Sequence, residues 1–120
     1  MRILNLYADD EGESHFREIE IECAEETPWG FKVSKQSAAA IIFVEAVGAT
    51  VLPSLAQSHP APWRQYVINL DAGLEVTTSD GDIRVLGAGE VVLVEDTSGK
   101  GHVTKLIGEK VHRAIFVPIN

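Results

Sequence analysis

The sequence predicts an all-β protein, a sandwich or barrel of about ten short strands, on three observations. Runs rich in Val, Ile, Thr and aromatic residues recur along the whole chain. Turn signals separate them at Asp80-Gly81, Gly87-Ala88-Gly89, Thr97–Gly101 and Gly108-Glu109-Lys110. Apolar residues at helical spacing are hard to find anywhere.

The predicted strands, in order, are Arg2–Tyr7, His15–Glu22, Gly30–Gln36, Ile41–Val47, Arg64–Leu70, Leu74–Thr78, Asp82–Leu86, Glu90–Glu95, His102–Ile107 and Lys110–Val117. The first three are short β-rich runs broken by acidic and glycine-bearing stretches. Around the fourth, Ser34–Ala46 is ambiguous: its alanines suit a short helix, whereas Ile41–Val44 has the β-branched and aromatic content of a buried strand, the reading adopted. Gly48–Ser58, with a proline and few charges, reads as a connection. Along the fifth strand and its approach, His59, Ala61, Trp63, Gln65, Val67 and Asn69 share one side in an extended chain, although Pro60 and Pro62 disfavour regular pairing before Arg64. Between the sixth and seventh, Asp80-Gly81 marks a two-residue hairpin turn, since such turns need positive φ. On the last strand His112, Ala114 and Phe116 share a face.

Composition narrows the function classes. A chain of 120 residues suits one domain with one core, here residues 1–120. The 45% apolar and 23% charged content is that of an ordinary globular protein. A net charge of −8 excludes nucleic acid and anionic membranes as expected partners, because both need clustered Lys and Arg. No apolar stretch approaches the roughly 20 residues that span a bilayer, and the acidic N-terminal region shows no secretory signal, so a cytoplasmic location is expected. Cys23 is the one cysteine, which excludes an internal disulfide and multi-cysteine metal sites. A reactive thiol needs nearby positive charge, and Cys23 sits among Glu22, Glu25 and Glu26, so it reads as inert.

Two blocks of residues resemble the paired motifs of the cupin superfamily. In the first, His59 stands at the motif's first histidine, Ala61 at the second, Gln65 at the glutamate, and Ala72, followed by Gly73, at the closing glycine. In the second, Gly81 is followed by Gly87 at the motif's proline, Gly89 at its second glycine and, after a longer insertion, His102 at its histidine. The blocks lie within residues 55–118, and together with Gly12–Phe16 they resemble small single-domain bacterial cupins without an assigned activity. The resemblance implies a double-stranded β-helix, the cupin jelly-roll barrel, whose open end holds a ligand. Residues 1–47 would then complete the barrel or form a dimer interface, and a homodimer is expected.

Metal-binding cupins hold their ion with two or three histidines and a carboxylate. This chain departs twice: Ala61 cannot coordinate, and Gln65 offers a neutral amide, a poor ligand for a transition metal. His59, Gln65 and His102 therefore make an incomplete divalent-metal site, for Zn, Fe, Ni or Mn, that needs a further donor such as His15 or His112. A metal-free site is the preferred reading, with a ligand pocket of His59, Trp63, Gln65, Val67, His102 and His112 taking a small polar or acidic molecule. A bland reading stands beside it, in which the histidines are structural and Trp63 packs at the barrel mouth or a subunit contact. Thr97–Gly101 lacks the order of a phosphate-binding loop, and Arg64 reads as a surface residue paired with an acid. No nucleophile–base pair stands out, so catalytic residues stay unassigned. Three functions follow: a small-molecule-binding cupin, a metal-dependent enzyme of dioxygenase or isomerase type with His59 and His102 as ligands, and a non-catalytic interaction or storage domain.

Overall fold

Eleven strands and no helix make up the described residues of the computed structural model, which are 1–47, 57–108 and 111–119. The strands are β1 (Arg2–Ala8), β2 (Ser14–Glu20), β3 (Glu25–Glu26), β4 (Lys32–Val33), β5 (Ile42–Val47), β6 (Gln65–Asn69), β7 (Leu74–Thr78), β8 (Ile83–Leu86), β9 (Val91–Val94), β10 (His102–Leu106) and β11 (Val111–Pro118). Six form one mixed sheet in the order β2-β1-β9-β6-β11-β5, and three form a second in the order β10-β7-β8. The β1–β9 pair is parallel, and the other ladders of these two sheets are antiparallel.

Alternation decides which side each strand buries. On β6 and β7 every second residue is buried: Gln65, Val67 and Asn69 on one, Leu74, Val76 and Thr78 on the other. The register sets Val67 of β6 opposite Val92 of β9 and Phe116 of β11. The inner faces of the two sheets meet in a core of Leu6, Ala61, Val67, Leu74, Val76, Leu86, Val92 and Val94, with Phe16, Leu106 and Phe116 packed against it. Burying such a side chain stabilises the fold by roughly 1.5–3 kcal/mol each.

Three sequence expectations need correction. The strand predicted over Gly30–Gln36 shrinks to Lys32–Val33, which pairs only with Glu25–Glu26 in a small separate hairpin. Trp29 and Phe31 stay exposed there, so no sheet face holds the rest of the run extended. The turn at Asp80-Gly81 holds three residues, Ser79 to Gly81. Thr78 and Asp82 close it (N···O 3.0 Å), Gly81 N–H donates back to Thr78, and Gly81 is the residue with positive φ (89°). That is a turn followed by one left-handed residue, which suits Asp80 because no non-glycine residue described has positive φ. Lastly, Ser34–Ile41 is not a strand; it is held by Ala39 N–H donating to Pro118 O (2.8 Å) and by the Tyr66 hydroxyl donating to Gln36. The Ile41–Val47 strand is present from Ile42, but as the edge of the sheet and not as the buried strand expected: Phe43 is 80% exposed. The connection expected over Gly48–Ser58 lies mainly outside the described residues, as does the end of the Gly108–Lys110 turn.

Candidate ligand-binding cavity

Between the two sheets lies a cavity of about 260 Å³ whose wall is almost entirely apolar. Leu6, Phe16, Val67, Leu74, Val76, Leu86, Val92, Val94 and Phe116 supply most of it. The polar side chains that reach it are His59, Gln65, His102, Thr104 and His112, with Trp63 beside Gln65. All six residues of the sequence-predicted pocket (His59, Trp63, Gln65, Val67, His102 and His112) thus line one space. Trp63 is half exposed and His59 partly so, which marks their end as the opening.

Backbone pairing brings the two distant histidines together. His59 N–H donates to His102 O and His102 N–H to His59 O, both at 3.1 Å, and Ala61 N–H donates to Asp96 O (3.0 Å). Such a reciprocal pair sets both side chains on one face, and the ring centroids lie 5.2 Å apart. The close approach requires Gly101: a Cβ there would sit 2.1 Å from the His59 carbonyl carbon, and Gly101 has φ of 73°. Its own carbonyl accepts from the buried Ser14 hydroxyl (2.6 Å).

Hydrogen bonds set the state of each polar group. His102 Nδ1 lies 2.6 Å from Asp96 Oδ2, and Asp96 is completely buried with Oδ1 unpartnered. A carboxylate accepts, so Nδ1 carries hydrogen and Nε2 is the ring nitrogen left for the cavity. His59 Nδ1 likewise donates to Pro60 O (3.1 Å). Gln65 Oε1 accepts from Trp63 Nε1 (2.8 Å), which leaves the Gln65 amide NH₂ as the donor for the cavity. Deeper in, Asn69 Nδ2 faces the carbonyls of Ala72, Leu86 and Gly87 at 2.9–3.0 Å. Its oxygen must therefore be the atom that meets His112 Nε2 (2.6 Å), so this ring is a neutral Nε2–H donor. Burial pushes the His112 pKa down, which keeps it so.

His15 is elsewhere, a correction to its expected reach toward the site. It bridges Asp9 (2.7 Å from Nε2) and Asp80 (2.8 Å from Nδ1), tying the β1–β2 turn to the β7–β8 turn. These carboxylates, Asp9 first, raise its pKa. Arg64 pairs with Glu95 on the surface. Lys100, in the loop read as unable to cradle phosphate, pairs with Glu13.

The donors do not fit a divalent ion. Gln65 Oε1, the oxygen a metal would use, accepts from the Trp63 indole N–H, Ala61 contributes nothing, and His112 Nε2 is held by Asn69, so the imidazoles of His59 and His102 remain. Among the described residues no cluster of three or more His, Cys, Asp or Glu side chains is arranged to hold an ion. Sequence reasoning missed Asp96 and the role of Asn69. An acid six positions before His102, across a glycine-bearing loop, was the available signal for the first.

Fold and cavity together define an all-β protein with two sheets facing each other across an apolar chamber, polar at one end. No known protein-family model matches the chain, and no curated protein matches it. Among the described residues no helix is long and apolar enough to cross a membrane.

Proposed function

We propose that this chain is a cupin-type jelly roll that binds a small molecule with an apolar body and one polar or acidic end group. The observation that carries this reading is the apolar chamber with imidazoles and one amide gathered at its opening. A wall of Val, Leu and Phe favours one ring or a short chain; an acidic group would accept from the Gln65 amide N–H and from a protonated imidazole of His59 or His102, and a hydroxyl would donate to an unprotonated Nε2. The cupin reading is supported by the convergence of His59 and His102, which the motif resemblance implied, and by the two-sheet all-β arrangement. A homodimer belongs to the same proposal: Trp29, Phe31, Ile41 and Phe43 leave 65–81% of their surface exposed around β3–β5, which a second copy would cover.

Thermal-shift and calorimetric titration with phenylacetate, octanoate and their methyl esters tests the cavity reading. At least one probe should raise the melting temperature of wild type. Ala61→Phe, which fills the chamber from a buried wall position, should abolish the effect while remaining folded. If none of the four binds, or if Ala61→Phe binds equally well, the reading fails.

A further inference from the structure

We infer that the cavity has a second polar subsite at its inner end, where His112 Nδ1 accepts a hydrogen bond from a hydroxyl on the far end of the bound molecule. The inference rests on the cavity reading above and deepens it: the ligand class becomes a hydroxy acid, with its acid at the opening, an apolar body, and its hydroxyl inside.

A fixed tautomer motivates it. The Asn69 amide NH₂ faces the carbonyls of Ala72, Leu86 and Gly87, so backbone atoms set which way the amide points. Asn69 Oδ1 is then the atom that meets His112 Nε2 (2.6 Å), and the ring hydrogen sits on that nitrogen. Nδ1 is left with a lone pair and no hydrogen to donate. His112 is buried, its ring lines the chamber, and among the described residues no donor reaches Nδ1. An acceptor held in an apolar wall is costly without a donor, so a ligand that brings one gains where an all-apolar ligand does not. Burial pushes the His112 pKa down, which keeps the lone pair in place.

The strands set this acceptor far from the opening. β6 carries Gln65 at one end and Asn69 at the other, four residues on, or about 13 Å at the rise of a strand. β11 pairs Ala114 with Asn69, and His112 lies beyond Ala114 on the same inward face. The opposite sheet agrees: β10 pairs His102 with Thr78 at the opening and Leu106 with Leu74 at the inner end. Val67 and Val76 line the stretch between. The ligand therefore has an order. A carboxylate finds donors at the opening but only a lone pair at His112, and an ammonium at the inner end would lose its water to an apolar wall. A neutral hydroxyl suits Nδ1. The one rival partner along the wall is the Thr104 hydroxyl, opposite Val76.

Calorimetric titration with two pairs of equal shape tests the subsite: 8-hydroxyoctanoate against nonanoate, and 4-(hydroxymethyl)phenylacetate against 4-ethylphenylacetate, each as acid and methyl ester. In at least one pair the hydroxyl member should bind wild type as tightly as its alkyl counterpart or more so, although water hydrates it better. In His112→Phe, which keeps a ring and removes the acceptor, the preference should swing toward the alkyl member by about 10-fold or more. Nitrogen NMR of wild type with isotope-labelled histidine gives a readout that needs no variant. The hydroxyl member should move the unprotonated Nδ1 resonance of His112, and the alkyl member should leave it in place. Equal preferences in wild type and His112→Phe, a swing in Thr104→Val instead, an unmoved resonance or hydrogen found on Nδ1 overturns the subsite, while binding of either alkyl member leaves the cavity reading standing. No binding by any of these compounds overturns both.

Discussion

Replacing Gly101 with alanine puts two separable costs on one methyl group. The first is conformational: at φ of 73° an L-residue pays about 1–2 kcal/mol for the left-handed region. The second is steric. The new Cβ would stand 2.1 Å from His59 C, 2.2 Å from His59 O and 2.3 Å from Pro60 N, all backbone atoms, so the His59–Pro60 segment must move by more than an ångström. Forced repacking of that kind costs about 1–3 kcal/mol. Gly89 is the internal control, since it has φ of 80° but nothing within 4 Å of the place its methyl group would take. Both substitutions gain the same stabilisation from a stiffer unfolded chain, so it cancels in the comparison. Gly101→Ala should therefore be about 1–3 kcal/mol less stable than Gly89→Ala by urea unfolding with unchanged m-values. It should also weaken probe binding, because the segment that moves carries His59. Equal midpoints for the two variants would refute the steric argument, and with it the account of how the two imidazoles meet.

The His15 bridge predicts a pH-dependent contribution to stability. Its folded pKa is raised, chiefly by Asp9 and then by Asp80, so the contribution is complete below the unfolded imidazole value and fades as pH rises through the folded one. Asp9, held down chiefly by His15, and Asp80, held down chiefly by the Thr78 hydroxyl, set the acid limit, where the contribution is lost as pH falls through their lowered values. The stability difference between wild type and His15→Gln should follow that window; a difference that stays constant from acid to alkaline pH would count against the bridge. Phe43→Asp, which places a charge on a residue 80% exposed, should convert a dimer to a monomer in light scattering with little change in fold. A wild type that shows the monomer mass at every concentration removes the dimer proposal.

The strand pattern was legible because alternation and turn residues are local signals. Leu74–Thr78 was located to the residue, and most other strands to within one or two. Where the sequence misled, a non-local fact decided. Phe31-Lys32-Val33 reads as strand, but its length depends on whether a partner lies alongside, and only Glu25–Glu26 does. At the cavity, the resemblance to the cupin motifs singled out His59, Gln65 and His102. Nothing local reveals that the Trp63 indole turns Gln65 from acceptor to donor, or that Asp96 folds back under His102. Asn69 was placed on the inward side by alternation, yet its three carbonyl partners come from two different turns, which only the closed fold brings together.

The place of Val111–Pro118 between β5 and β6 has a kinetic consequence. The fourth and sixth ribbons of the large sheet, β6 and β5, are joined through a segment synthesised long after either, and β1 waits in the same way for β9. Among the described ladders only the β1–β2, β3–β4 and β7–β8 hairpins pair neighbours in sequence; the other five join distant segments, so most of the registry waits for long-range contacts. Folding should accordingly be slow for a chain this small, with apolar edges bare while the late segment finds its slot.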